Sequence, residues 1–346
     1  MMQISPETQL FIREHSSDDV RVLALQAKKY PDIDMPTAIT QIAGRKVAAE
    51  KIPSWWEIEK IWYPKHLSLE QCSSEITARY KARLLQGDSL TDLTGGFGID
   101  CSFLATGFKS ATYVERQEEL CEIAAHNFPV LNLNHINIKN EDGVTYLQVM
   151  SPVDCLFLDP ARRNEHGGKT VAISDCEPNV AELEELLLQK ANRVMIKLSP
   201  MLDLSLALKE LKQTQEVHIL SVNNECKELL ILLGQTSPAE ISIHCVNLFT
   251  KGTQKEQHFV FTREQEQCSE CTYTDSLETY LYEPNASLLK AGAFRSIAAA
   301  YPVRKLHPNS HLYTSDTFIE NFPGRIFRIV NQCSFNKKEV KENLAD

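Results

Sequence analysis

The chain has 346 residues, with 36 Lys and Arg against 46 Asp and Glu, a formal charge of −10. That length exceeds one ordinary domain, and 43% hydrophobic with 24% charged residues exclude a disordered, collagen-like or low-complexity chain. No apolar run approaches the roughly 20 residues needed to span a bilayer. The N-terminal MMQISPETQLFIREH lacks the basic start and apolar core of a signal peptide, so a cytoplasmic protein with no membrane partner is expected. Ten cysteines, from Cys72 to Cys333 and mostly within apolar stretches, read as reduced thiols acting as small hydrophobes.

The acidic total argues against nonspecific coating of nucleic acid, which needs a positive surface. The charge is uneven, however. From Pro284 to Asp346 nine Lys and Arg face five acids, a balance of +4 that leaves −14 for the rest. Such asymmetry points to an anionic partner for the C-terminal part, with a solvated basic face as the plain alternative.

Residues 1–86 are predicted to form an N-terminal helical domain. Apolar residues recur at three- and four-residue spacing in DDVRVLALQAKKY, PTAITQIAGRKVAAEK and SSEITARYKARLLQG, and Pro31, Pro36, Pro53 and Pro64 punctuate the helices. From Ser89 the pattern changes to short apolar runs (SLTDLTG, SATYVE, HINIKN, VDCLFLDP, RVMIKLS, EVHILSV, LLILLG) alternating with helical stretches. This is the signature of an α/β doubly wound, mainly parallel sheet over 87–235. Residues 236–275 read as a small β-containing insert without helical pattern. Residues 281–346 read as a small α+β unit: a helix (ASLLKAGAFRSIAAAY), an extended piece (HLYTSD), a strand (GRIFRIVNQCSF) and a charged final helix.

The segment Asp92-Leu-Thr-Gly-Gly-Phe-Gly-Ile-Asp100 joins a strand to a helix. In open α/β sheets ligands bind beyond the carboxyl ends of the strands, where the first turn must let backbone approach the ligand. Thr94, Gly95, Gly96 and Gly98 form that turn, with Asp92 before it and Asp100 after it. A dinucleotide loop wants G-x-G-x-x-G, but Gly96-x-Gly98-x-x is followed by Cys101, and an acid ahead of the glycines suits the ammonium and sulfonium end of S-adenosylmethionine better than a pyrophosphate. A purely structural glycine turn is the alternative. Three further strand ends carry acids. Glu115 can take both ribose hydroxyls, Asp142 (or neighbouring Glu141) an adenine amino group, and Asp159-Pro160 follows the fourth strand on the side of the methyl group. Each alone is an ordinary solvated acid.

In this order DLTGGFGID, YVE, NEDG and FLDPARR resemble motifs I to IV of class I S-adenosylmethionine-dependent methyltransferases. EQCSSEITARYKA, DLTGGFG, DPARR and EPNASLLKAG…SHLYTSD…FPGRIFRI together resemble a bacterial methyltransferase family with a ferredoxin-like insert and a C-terminal THUMP-like domain. The resemblance implies a Rossmann-like methyltransferase sheet over 87–235, a ferredoxin-like insert over 236–275 and a THUMP-like domain over 281–346. It also implies more sequence beyond KENLAD, so the last domain would be incomplete. Cofactor roles carry over to Asp92, Gly96, Gly98, Glu115, Asp142 and Asp159. THUMP domains bind RNA, which implies a tRNA or rRNA substrate. The motif I spacing is also similar to trimethylguanosine synthases, but those enzymes stack the target base on an aromatic after (D/N/S)-P-P, whereas Ala161 and Arg162 follow Pro160 here.

Methyl transfer is an in-line displacement, so the protein mainly aligns the nucleophile and excludes water. Asp159 is the candidate to take a hydrogen bond or proton from that nucleophile. Arg162 and Arg163 can clamp a substrate phosphate, or pair with Glu165 or Asp175. Ser73 or Ser74 caps the helix after Glu70-Gln-Cys-Ser-Ser-Glu75, and that end, Ser74 in particular, is expected to face the methionine carboxylate. Lys197-Leu-Ser-Pro-Met-Leu-Asp203 would line the substrate entrance. Cys268-x-x-Cys271 lacks a second ligand pair at zinc-site spacing, so no metal is expected. Trp55, Trp56 and Trp62 read as anchors of the helical region. A small-molecule or protein methyltransferase, a catalytically silent RNA-binding module and, more distantly, a nicotinamide enzyme are the competing functions.

Overall fold

The N-terminal helices start where a polar side chain takes over the backbone N–H groups that a first turn leaves unpaired. Ser5 accepts from Thr8 N at 3.2 Å ahead of α1 (Pro6–Glu14), Asp19 from Arg21 N at 2.8 Å ahead of α2 (Val20–Leu25), and Asp34 from Thr37 N at 3.3 Å ahead of α3 (Met35–Lys51). Three short helices follow: α4 (Pro53–Trp56), α5 (His66–Gln71) and α6 (Glu75–Ala82). This is a computed structural model that describes residues 4–162, 172–236 and 238–334, with 336, 337, 339 and 341; of Arg162 only the backbone is described.

Phe11, Leu23, Met35, Ala38 and Ile42 form one helical core. A second core runs from Ala48, Trp55, Ile61 and Tyr63 into Phe97, Ile99, Phe103, Leu120 and Ile123, so packing is continuous across residue 86. Trp55 meets Phe97 edge-on at 5.2 Å and Trp62 stacks on His126 at 3.7 Å, as anchors should, whereas Trp56 is exposed with Arg45 over its ring. Two buried amides hold the connecting segment. Gln41 donates to Tyr63 O at 2.8 Å and accepts from Tyr63 N at 2.9 Å, while Asn127 does the same for Trp62 at 2.8 and 2.9 Å. Each copies the pairing a neighbouring strand would give, where no strand is present.

The α/β part continues with β1 (Ser89–Asp92), α7 (Ile99–Ala105), β2 (Ser110–Glu115), α8 (Glu118–Val130), β3 (Ile136–Asn140), α9 (Gly143–Val149) and β4 (Val153–Leu158). A two-stranded antiparallel pair, β5 (Ala161–Arg162) and β6 (Cys176–Glu177), precedes α10 (Val180–Lys190), β7 (Ala191–Leu198) and α11 (Leu204–Glu210). The chain then forms β8 (Thr214–Val222), β9 (Glu225–Gly234), β10 (Ser242–Leu248), β11 (Glu256–Phe261) and α12 (Arg263–Cys268). It ends, among the described residues, with β12 (Tyr280–Pro284), α13 (Ala286–Ala291), α14 (Phe294–Ala300), β13 (Arg304–Lys305), β14 (Tyr313–Ser315) and β15 (Gly324–Arg328).

Nine strands build one parallel-rich sheet, and the chain divides into two compact units. In the first unit the strands run β3-β2-β1-β4-β7, all parallel. The order reverses between β1 and β4, which creates the crevice at the carboxyl ends where α/β sheets bind ligands. In the second unit β10 pairs parallel with β8 and antiparallel with β11. Residues 236–275, expected as a small insert, therefore contribute two strands to the large sheet, and Thr262 caps a helix, α12, that the sequence pattern had not announced. The four-stranded antiparallel sheet β13-β14-β12-β15 lies in the same unit. The single helix expected over ASLLKAGAFRSIAAAY is two, because Gly292 takes a left-handed φ of 76° and ends α13. Most of the expected final helix, 337–346, lies outside the described residues. No described helix is long and apolar enough to cross a membrane.

Asn127→Ala should lower stability to urea by about 1–3 kcal/mol, because it orphans the Trp62 N–H and C=O. Gln41→Ala should do the same at Tyr63. An effect indistinguishable from zero in both would show that these amides do not hold the segment.

Candidate active site

β1 is buried to its last residue, so its carboxyl end delivers Asp92 into the crevice at 0% exposure. One Asp92 oxygen, Oδ1, accepts from Thr94 N at 2.9 Å. The other, Oδ2, is buried with no hydrogen-bond partner among the described residues. Burial pushes this carboxyl up to about 8, opposed by the Thr94 N–H and Lys197 and reinforced by the negative charges of Asp100 and Asp159.

The turn that follows is pressed onto β2. Gly95 N donates to Val114 O at 2.9 Å, and a Cβ on Gly95 would come within 2.3 Å of the Tyr113 ring. Tyr113 donates its hydroxyl to Gly96 O, and Gly98 opens α7 at a φ of 86°. Glu115, at the end of β2, holds the same turn: Oε2 accepts from Gly96 N and Oε1 from Gln117 N, both at 2.8 Å. Thr94 joins the ends of β1 and β4, its Oγ1 accepting from Asp159 N at 2.6 Å.

Beneath the turn is a buried chain of charge. Lys81, on α6, is fully buried and lies 3.0 Å from Asp100 Oδ1 and 2.9 Å from Ser73 Oγ. Lys197, near the end of β7, reaches Ser73 Oγ at 3.0 Å, Asp100 Oδ2 at 3.1 Å and Asp159 Oδ2 at 2.6 Å. Ser73 in turn donates to Asp100 Oδ2 at 2.7 Å. For Asp100 burial alone would raise the pKa, but Lys197, Lys81 and Ser73 outweigh it and hold the carboxyl well below the usual range. For Asp159 the balance is opposite: desolvation raises it although Lys197 pulls it down. Its side chain keeps 37% exposure, which makes it the open end of the chain.

The structure thus brings Asp92, Thr94, Gly95, Gly96, Gly98, Asp100, Glu115 and Asp159 together around one crevice, with Pro160 buried behind Asp159. Other expectations need correction. Ser74 precedes α6 but does not cap it; its Oγ pairs with Thr77 Oγ1 at 3.2 Å, and Ser73 is the serine in the charged chain. Asp142 is exposed, and its Oδ1 caps α9 through Val144 N and Thr145 N, both at 3.0 Å. Lys197 does not line an entrance but is buried at 7% exposure. The Arg162 side chain, and Arg163 and Glu165 altogether, lie outside the described residues. Sequence reasoning missed Lys81 and the role of Lys197. A lone cation inside VMIKL, a run otherwise suited to burial on both faces, was the available signal for Lys197, whereas Lys81 sits among other cations in TARYKAR and gives none.

Lys81→Met should cost about 3 kcal/mol in urea unfolding, as it strips one of two cations from a buried carboxylate. Combined with Asp100→Leu, the loss should be smaller than the sum of the single losses. Strict additivity would contradict a coupled buried chain.

Residues 280–323 match a ferredoxin-like domain family, so the ferredoxin-like part falls within the region expected to be THUMP-like and not over 236–275. No curated protein matches the chain. Among solved structures an rRNA methylase from Streptococcus thermophilus shares 15% identity over 46% of this chain and 93% of its own, with a TM-score of 0.34. The crystal structure of a "putative methyltransferase" from Porphyromonas gingivalis W83 shares 34% identity over 99% of this chain and 86% of its own, with a TM-score of 0.86. At that identity, over nearly its whole length and with the same fold, the chain belongs to the family of this Porphyromonas gingivalis protein.

Proposed function

We propose that the protein is an S-adenosylmethionine-dependent methyltransferase that modifies a base in RNA. The observation that carries the reading is Asp92: a buried carboxylate at the switch point of the sheet, beside a glycine turn, with one oxygen unpartnered. An unpaired buried carboxylate is costly unless a cationic ligand completes it. The kinship with a protein described as a methyltransferase supports the same cofactor. Asp92 would hold the cofactor's cationic end. Glu115 would exchange its bond to Gly96 N for the ribose hydroxyls, and Glu141 would stand near the adenine. Bound there, S-adenosylmethionine supplies an electrophilic methyl on its sulfonium.

The rest is positioning by the chain itself. Lys197 fixes one Asp159 oxygen, and Thr94 fixes the Asp159 backbone. The remaining exposed part of the carboxylate takes a hydrogen bond, or a proton, from the acceptor on the nucleotide. Buried Pro160 stiffens the segment after Asp159.

The RNA substrate, and an RNA-binding role of the C-terminal region, rest on two features. Residues 284–346 carry nine cations against five acids, and the region exposes Phe327, with Arg325 at 5.7 Å from the ring, and Phe318. Exposed aromatics among cations are what unstacked bases bind.

Calorimetric titration with S-adenosylmethionine should show binding that Asp92→Asn weakens at least about tenfold, the scale of one lost buried charge contact. Because free Asp92 is protonated below about pH 8 and the cationic ligand needs it ionised, affinity should rise from pH 6 to 8 and level off above. The slope should be at most about tenfold per pH unit. A flat profile, or unchanged binding by Asp92→Asn, would refute the assignment. For the substrate, labelled methyl should pass to RNA extracted from a deletion strain and appear in one modified nucleoside by mass spectrometry. Label passing only to protein or small molecules would overturn the RNA reading while leaving the cofactor reading intact.

A further inference from the structure

The second unit carries a cluster that the proposed methyl transfer does not use. Glu216 and His218 sit two residues apart on β8, and side chains at that spacing share a face of a strand. In the β8–β10 register His244 lies directly opposite His218. On β11 His258 faces Val246, one diagonal step from His244, within the reach of long side chains across a sheet. Three adjacent strands thus bring three imidazoles and a carboxylate to one place.

The distances suit a shared ion. One ligand atom from each of Glu216, His218 and His244 lies within 4.8 Å of the others. His244 Nδ1 is 3.1 Å from His258 Nε2, and His218 Nε2 is 3.2 Å from Glu216 Oε2. Two ligands about 2.0–2.1 Å from one tetrahedral ion are about 3.3 Å apart, close to the spacing the His244–His258 and His218–Glu216 pairs already show. The rings of His218 and His244 stack at 4.3 Å and 15°, so their in-plane lone pairs run nearly parallel, and shared ligation requires one ring to turn about its side-chain torsions. His218 is 3% exposed and His258 is open, so an ion can enter from the β11 side.

We propose that Glu216, His218, His244 and His258 form a binding site for a divalent first-row transition ion. Imidazole with one carboxylate is the donor set of Zn²⁺, Ni²⁺ or Cu²⁺, not of Mg²⁺ or Ca²⁺, which want oxygen. Ligation needs neutral imidazole, so binding should weaken as pH falls below the ordinary imidazole range. The expectation of no metal looked only for ligands close in sequence, as at Cys268 and Cys271. Here the ligands come from separate strands, and only the pairing of β8, β10 and β11 brings them together. An ion would also tie β11 to its neighbours.

The competing account is a histidine ladder held by hydrogen bonds alone. To decide, the chelator-stripped full-length protein is titrated with Zn²⁺ against a competing metal indicator, and with Co²⁺ by absorption spectroscopy. One Zn²⁺ should bind per chain. His244→Ala and His258→Gln should weaken it by more than about tenfold. The Cys268→Ser/Cys271→Ser variant should bind as the wild type does. Co²⁺ should give visible ligand-field bands without a sulfur-to-cobalt charge-transfer band. Absence of binding, binding unchanged in both histidine variants, or binding lost in the cysteine variant would overturn the site. Should His244→Ala fail to fold by circular dichroism, His258→Gln, at an exposed position, decides.

Discussion

Two buried lysines and buried Asp100, extended to the half-exposed Asp159, constrain the first unit more than any other set of contacts. Ionised groups survive burial only when geometry and added hydrogen bonds repay the loss of hydration. Lys81 and Lys197 meet that condition by converging on Asp100 and on Ser73, and Lys197 extends the chain to Asp159. Because these residues come from α6, α7, the end of β4 and β7, their mutual satisfaction fixes where those four segments stand around the crevice. Ser73 has a part that an apolar residue could not take, since its hydroxyl accepts from both lysines while donating to Asp100.

Asp92 is the deliberate imbalance beside this matched set. It is buried as Asp100 is but makes no ion pair among the described residues, and the two carboxylates respond in opposite directions, Asp100 downward and Asp92 up to about 8. Local sterics keep Asp92 in place: Gly95 must lack a side chain to rest against Tyr113, and Glu115 ties Gly96 down from β2. A ligand with a cationic end that enters the crevice would relieve the Asp92 cost, and that coupling between burial and binding underlies the proposed chemistry. Methyl transfer asks little further of the protein than alignment and dryness, and the Lys197–Asp159 pair at the open end supplies the alignment.

Much of this was legible in the sequence because its causes are local. The glycine turn, the acids at strand ends and the alternation of apolar runs with helical stretches report backbone needs within a few residues, and DLTGGFGID sits where they place it. What failed depended on contacts remote in the chain. Ser73 and Ser74 are equally good caps on paper, and contacts with Lys81, Asp100 and the sequence-distant Lys197 distinguish them. Residues 236–275 looked like an independent insert because strand pairing with β8 leaves no mark in the local pattern. Asp142 shows the opposite limit: an acid at a strand end also makes a good helix cap, and its Oδ1 is used that way. The helix break at Gly292 was readable, since a glycine there is a common stop, and the apolar periodicity on both sides masked it.

The claim on which the account rests is that the crevice at the ends of β1 and β2 holds the cofactor. A crystal structure of the protein with S-adenosylhomocysteine tests it most directly. The account predicts the ligand's amine against Asp92 Oδ2 and Glu115 turned from Gly96 N onto the ribose hydroxyls. Ligand density elsewhere, or a crevice with Glu115 still on Gly96 N at saturating ligand, would contradict it.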